Sequence, residues 1–357
     1  IKNKNNELDR FNKIYLNLLS KLTILNGSAK ITGNNQVEVN GKVLSAKSIL
    51  IAVGGKSYMP DIDGKELCIN SDEALDLEML PKSIVINGGG YIALEFAGIF
   101  SSLGSKVTLV YRGKNILRGF DSDISKFITE ELKNSKIKVI TEQEITSVSK
   151  VTNGLSTELS SGEKIISNKV MFATGRIPNT KNLGLEKIGI KLGSIGEIIV
   201  DNNNETNIKN IFAIGDVTNR INLTPVAIAE GQIFSDNRFG GMNKKCDYTN
   251  VASAVFTQPA IGVVGLNQSE AESMFADDEG ISIFKTSFKP MKQTLGARNT
   301  KIFIKMIVSN KDNKVIGIHG IGDDMPEIIQ ICAVAIKAGA TKAVSYTHLT
   351  LPTNREV

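Results

Sequence analysis

Leu8, Phe11, Tyr15, Leu18 and Leu22 recur every three to four residues, the period of one helical face, which predicts an amphipathic helix at the start of the chain. The period then shortens. VEV at 37–39 and SILIAV at 48–53 read as strands, and the second runs unbroken into Gly54-Gly55, as a buried strand does when it brings backbone to a ligand. PDIDG at 60–64 carries two breakers, Pro60 and Gly64, and reads as a linker.

A second α/β pattern begins near Pro81. SIVIN (83–87) is a buried strand, GGGYIA (88–93) a turn, and Ala93 to Leu103 a helix with Ala93, Phe96, Ala97, Phe100 and Leu103 on one face. KVTLVY (106–111) is the next strand, which completes a βαβ unit. A helix near 121–134 follows, then short β runs from 137 to 174 that end at ATG (173–175). A strand at Asn210 to Ile214 closes on Gly215-Asp216, ahead of a helix from Pro225 to Arg238. From about Asp247 the strands lengthen (281–288, 301–309, 314–321) and precede a helix at 326–338, so a further domain is expected there. No repeat of solenoid period is present.

Gly88-x-Gly90-x-x-Ala93 is a weak motif on its own but stands between a strand and a helix, the context a dinucleotide site requires. Gly88 permits the turn, Gly90 lets backbone approach a pyrophosphate, and Ala93 keeps helix and strand close, while the helix N-terminus offers free N–H groups to the phosphates. An NAD site places Asp or Glu at the end of the second strand to accept from the ribose 2′-OH. Arg112 stands there instead, with Arg118 six residues on, and two guanidiniums suit a 2′-phosphate. This pair predicts NADP over NAD. Glu95 lies one turn into the same helix, either facing solvent or held near the cofactor.

Composition narrows the partners. The 357 residues predict two or three domains, and 41% hydrophobic with 22% charged residues is ordinary for a globular protein. A net charge of +5 spread along the chain, without aromatic-interleaved basic runs, argues against a nucleic-acid partner. No apolar run is long enough to span a membrane, and the opening residues lack signal-peptide character. They also lack an initiator Met, so a start upstream is expected. Cys68, Cys246 and Cys332 are widely spaced, which suggests a reducing cytoplasm and structural thiols. With only His319 and His348 besides, no metal site is expected, and His319 on VIGIHGI reads as structural.

The segments SDEALDLEMLPKSIVINGGGYIALEFAG, YRGKNILRGFD, ATGRIPNT, IFAIGDV, LTPVAIAEG, VFTQPAIGVVG and GATKA resemble, in that order, the pyridine nucleotide–disulfide oxidoreductases, and within them the glutathione reductase branch. The resemblance runs from about residue 8 to Ala343. It implies an α/β architecture in which a split FAD-binding Rossmann-like domain (1–64 and 179–247) accepts an inserted NADP-binding Rossmann-like domain (65–178). A C-terminal α+β dimerisation domain (248–343) and a tail without resemblance (344–357) complete the chain. It further implies NADP held by Gly88, Gly89, Gly90, Tyr91, Ile92, Ala93, Glu95, Arg112, Arg118, Gly175 and Arg176. Tyr91 would cover the flavin face until nicotinamide displaces it, and Glu95 would stand beside the nicotinamide. FAD would be held by Gly54, Gly215, Asp216 and Thr224, with Asp216 accepting from a ribityl hydroxyl. The implied activity is reduction of glutathione disulfide by NADPH through FAD, in a cytoplasmic homodimer.

Three departures qualify that expectation. The family's N-terminal GxGxxG and CxxxxC redox pair do not occur in this sequence, so the chain as written is expected to lack disulfide reductase activity. The tail VSYTHLTLPTNREV replaces the family's His-Pro segment, and the spacing of His348 and Glu356 is wrong for its His–Glu pair. A tail foreign to the gene is the preferred explanation, and no catalytic residue is assigned. Gln232 follows LTPVAIAEG where some glutathione reductases place an arginine that holds a substrate carboxylate. Reductases of another small disulfide, trypanothione- or coenzyme A disulfide-like, and a non-catalytic NADP-binding fragment therefore stay open. Dihydrolipoamide dehydrogenase fits less well, because it uses NAD.

Overall fold

A computed structural model of the chain describes residues 1–277, 279–294 and 301–348. The tail beyond His348, Glu356 included, lies outside the described residues, as does the side chain of His348. By contact the chain divides into two compact units, each built from non-contiguous stretches.

The first unit comprises Ile1–Tyr58, Leu75–Glu78 and Gly175–Tyr248. Its strand Ile49–Ile51 pairs in parallel with Ile211–Ala213, so both strands point their carboxyl ends the same way. Burial alternates along the first of them: Ile49 and Ile51 face the core and Leu50 faces out. The core adds Ile31, Leu185, Ile190, Ile198, Ile211, Ala213 and Val217. Each buried Ile contributes about 1.5–3 kcal/mol of transfer free energy. The Ile211 strand starts one residue later than expected, because Asn210 sits in the left-handed region (φ 67°). The N-terminal helix Lys2–Leu18 forms but ends before Leu22, the last position of the predicted face, and none of its residues is buried.

The second unit comprises Met59–Ala74, Met79–Thr174 and the chain from Thr249 on. Four parallel strands lie in the order Lys169–Phe172, Ser83–Asn87, Lys106–Tyr111, Lys138–Thr141. Ile84, Val85 and Ile86 are almost wholly buried, as an interior parallel strand requires. Helix Tyr91–Ser102 buries Ala93, Leu94, Phe96, Ala97 and Phe100. It begins two residues before the expected start, and Leu103 is exposed just beyond its end, where Gly104 (φ 102°) turns the chain.

The C-terminal part of this unit is a five-stranded antiparallel sheet, ordered Ser253–Val255, Ile261–Gly265, Val315–Ile321, Ile302–Ser309, Ile281–Phe288. Helix Met325–Lys337 covers it, with Ile329, Cys332 and Ile336 packed on Val264, Val308, Val315 and Ile318. The two segments read from sequence as the separate domains 65–178 and 248–343 thus group into one compact unit. Among the described residues no helix is long and apolar enough to cross a membrane.

Candidate nucleotide-binding sites

In the second unit the sheet carries Asn87 and Val110 side by side at its carboxyl edge, so Gly88 and Arg112 emerge next to one another. A Cβ at Gly88 would collide with the carbonyl oxygen of Ala173 and come within 3.1 Å of the Ala93 Cβ. The glycine is therefore demanded by strand–helix packing. A Cβ at Gly89 would meet the Tyr111 ring at 2.6 Å, and one at Gly113 would meet its other atoms at 2.7 Å, so this ring is wedged between two glycines. Gly90 is different: it is exposed, and a Cβ there would meet nothing within 4 Å. It precedes helix Tyr91–Ser102 with no side-chain cap, leaving backbone N–H groups facing an open cradle that fits a pyrophosphate.

Both arginines stand on backbone that adjoins this turn. Arg112 follows strand Lys106–Tyr111, exposed and 3.8 Å from Glu144 Oε1, a loose surface pair. Arg118 is exposed and makes no ion pair with the described residues. Its neighbours Ile116 and Leu117 are buried, and the Leu117 amide donates to the Gly89 carbonyl at 2.6 Å. The loop bearing Arg118 is thereby stitched to the glycine turn.

Tyr91 is exposed at the first turn of the helix, Ile92 half-buried, and Ala93 buried. Glu95 accepts from the Phe256 amide at 2.9 Å. Burial raises its carboxyl above the ordinary range, and that hydrogen bond only partly offsets the rise.

In the first unit the parallel pair Ile49–Ile51 and Ile211–Ala213 delivers Gly54 and Gly215-Asp216 to one edge, the position at which open α/β sheets bind ligands. Gly54 (φ 66°) has open space where a Cβ would lie. A Cβ at Gly55 would stand 3.5 Å from the Asp216 Cβ, so the two turns adjoin. These glycines with one half-buried carboxylate fit the sugar and phosphate chain of a flavin nucleotide. Thr224 is exposed at the start of helix Thr224–Phe239.

Gly175 and Arg176, which the resemblance put with NADP, belong to this first unit. Tyr58 donates its amide to Gly175, and Arg176 donates through Nη2 to the Gly55 carbonyl at 2.6 Å. Strand Arg176–Pro178 pairs with Gly55–Ser57, which brings both residues to the flavin candidates. Gln232 spends its amide on Asp236 of its own helix, at 2.8 Å.

Two supporting residues were not singled out from sequence. Glu230, on an otherwise ordinary helix, is buried and accepts from the Gly215 amide and from the Tyr248 hydroxyl, both at 2.6 Å. Arg220 lies 3.8 Å from it and also bonds Asn204, Tyr248 and the carbonyls of Val200 and Asp201. Lys305 is the other, wholly buried in the apolar run IFIKMIVS. A lysine in the middle of such a run was the available signal.

The three cysteines are free. Burial, with Glu66 nearby, pushes the Cys68 thiol up to about 11, and burial likewise raises Cys246 and Cys332. His319 is buried, its Nε2 2.9 Å from the Leu266 carbonyl, and burial lowers its pKa. No cluster of metal-ligating side chains occurs among the described residues.

This pair of glycine-lined sheet edges is the architecture of a two-nucleotide flavoprotein, and sequence comparison agrees. Residues 2–231 match the pyridine nucleotide-disulphide oxidoreductase family, and residues 251–356 match the dimerisation domain of the same family. The chain belongs to that family, whose cofactors are FAD and NADP.

Within it, the chain is similar to glutathione reductases. It is 46% identical over 346 residues to the chloroplastic/mitochondrial enzyme of Pisum sativum, a match covering 96% of this chain and 62% of that one. With glutathione reductase of Burkholderia cepacia it shares 42% over 342 residues, 95% of this chain and 76% of that enzyme. The chain thus spans under two thirds of the pea relative's length. Among solved structures, the HOCl-induced flavoprotein disulfide reductase RclA of Escherichia coli superposes with a TM-score of 0.89 at 27% identity, over 99% of this chain and 82% of that one.

Proposed function

We propose that this chain binds NADPH and FAD and serves the electron-input half of a glutathione-disulfide reductase. The observation that supports this is the open cradle at Gly90, with the backbone segments that carry Arg112 and Arg118 adjoining it. Gly88 to Ala93 hold the pyrophosphate on the helix N-terminus, and the two guanidiniums hold the 2′-phosphate with charge-assisted bonds. Tyr91 and Glu95 lie on the first turns of that helix, as residues facing the nicotinamide. Gly54, Gly215 and Asp216 carry the flavin's sugar–phosphate chain, with Arg176 bracing the Gly55 turn. Asp216 accepts from a sugar hydroxyl, and backbone at Thr224 faces the pyrimidine ring of the flavin. When bound, NADPH supplies a hydride and FAD accepts it. All three thiols are held above their ordinary pKa, so none is a thiolate nucleophile at neutral pH. Within this chain reducing equivalents therefore stop at the flavin.

The similarity to glutathione reductases supports glutathione disulfide as the parent activity's substrate, and the matched dimerisation domain supports a homodimer. Widely spaced free cysteines suit a reducing compartment, the cytoplasm being the simplest. The test is to supply FAD and follow NADPH oxidation with ferricyanide as acceptor, then with glutathione disulfide. Ferricyanide reduction that prefers NADPH, without turnover of glutathione disulfide, is expected. Equal rates with NADH would refute the NADP assignment, and no ferricyanide reduction would refute the electron-input reading.

A further inference from the structure

The loop that carries Arg118 is fastened at both ends. Upstream, the Leu117 amide is bound to Gly89. Downstream, the Asn267 side chain donates to the Gly119 carbonyl at 3.4 Å, and Asp121 is held in a buried ion pair. Asn267 and the lysine of that pair both come from the C-terminal part of the second unit.

The pair is complete in its hydrogen bonding. Lys305 Nζ donates to Asp121 at 2.8 Å, to Asp123 at 2.7 Å and to the Gln268 side chain at 2.7 Å, which uses all three ammonium protons. Asp121 also caps helix Ser122–Asn134 by accepting from the Asp123 amide at 3.0 Å, and accepts from the Gln268 amide at 3.1 Å. Lys285, from the neighbouring strand, adds a second ammonium to Asp123 at 2.7 Å.

Between these anchors Leu117 adopts φ 55°, a left-handed conformation that a γ-branched side chain seldom takes and that persists only where surroundings impose it. Arg118 is the next residue. If the downstream anchor slackens, Leu117 can return to negative φ, which swings Arg118 away from the glycine turn.

Resting on the 2′-phosphate reading above, we infer that Lys305 is a positioning residue for nucleotide selectivity: with Asn267, it clamps the Arg118 loop from the dimerisation-domain side and so sets the preference for NADPH over NADH. Neither residue touches the nucleotide.

The experiment measures binding of NADPH and NADH to the full chain by nicotinamide fluorescence. Lys305→Met alone would strand the buried Asp121 carboxylate and threaten folding. The informative variant is therefore Lys305→Met/Asp121→Asn/Asp123→Asn, because asparagine also serves as an N-cap and no buried charge is left unpaired. This triple change raises the net charge, so a purely coulombic effect would strengthen NADPH binding. The clamp predicts the opposite: NADPH affinity falls roughly ten- to hundredfold, the loss of one charge-assisted phosphate contact, while NADH affinity is unchanged. Asn267→Ser is the milder companion, which keeps an N-cap for helix Gln268–Met274 and removes the donor to Gly119 without adding charge. It should shift the ratio in the same direction by less.

A folded variant that keeps the wild-type NADPH/NADH ratio would overturn the clamp alone. Should the triple variant fail to fold, an unchanged ratio in Asn267→Ser would overturn it. Equal binding of the two nucleotides by the wild-type chain would overturn the 2′-phosphate reading, and the clamp with it.

Discussion

Glu230 holds the turn on which the flavin proposal depends, and its removal has a calculable cost. Its carboxylate is 1% exposed and takes the Gly215 amide and the Tyr248 hydroxyl at 2.6 Å each. In Glu230→Ala both half-buried donors lose their acceptor, at up to about 3 kcal/mol apiece, or up to about 6 kcal/mol together. That is a large share of the roughly 5–15 kcal/mol that separates folded from unfolded domains. Glu230→Gln is the control. Its oxygen can still accept from Gly215, its amide can donate to the Tyr248 oxygen, and only the charge assistance and one hydroxyl proton lose their partner, at about 1–2 kcal/mol. Urea unfolding followed by far-UV circular dichroism gives the two stabilities, and flavin absorbance after gel filtration gives FAD retention. Ala should cost more than Gln by at least about 1 kcal/mol and release FAD first. Equal costs, or an Ala variant within about 0.5 kcal/mol of wild type, would refute the account of how the Gly215 turn is held.

Further expectations concern the nucleotide edge and the buried ion pair. Arg112→Glu should weaken NADPH binding at least about tenfold and leave NADH nearly unchanged, checked by fluorescence titration. Gly88→Ala should lower stability by about 2–4 kcal/mol through its collision with Ala173, whereas Gly90→Ala should melt like wild type yet bind NADPH weakly. Calorimetry and titration separate these two glycines. Burial opposes ionisation of Asp121 and Asp123, but Lys305 outweighs it with amide donors at Asp121 and with Lys285 at Asp123, and both carboxyls end below their ordinary value. Because the folded-state pKa is depressed, this stabilisation is present above the ordinary carboxylate value and is lost as pH falls through the folded one. The melting temperature should therefore drop below about pH 4 in wild type, and drop less in the triple variant that lacks the pair.

Local chemistry was legible where it obeyed a short-range rule. The strand–glycine–helix unit at 83–103 is readable because its order along the chain is local, although the contacts that demand Gly88 and Gly89 come from Ala173 and Tyr111 at the ends of other strands. The pairing of Gly54 with Gly215-Asp216 was readable only as two separate strand ends, since the parallel register that joins them spans the whole inserted segment. Arg176 and Gly55 are each legible as candidates, but their pairing is not, because the contact crosses 121 residues. Glu230 and Lys305 escaped for the same reason. A buried charge is identified by its partners, and theirs lie on other elements. The helix Lys2–Leu18 shows the converse: its period was right, but periodicity records a face and says nothing of what that face touches.

The distance along the chain between Lys305 and Asp121 also has a consequence for biosynthesis. A ribosome adds roughly 5–20 residues per second. The lysine is 184 residues downstream of its aspartate, so it emerges about 10–40 s later. For that interval the parallel sheet can assemble on the nascent chain, but Asp121 must stay hydrated and the loop beside it slack. On the clamp proposed above, the candidate nucleotide edge is therefore finished late, by a strand translated long after the sheet it serves.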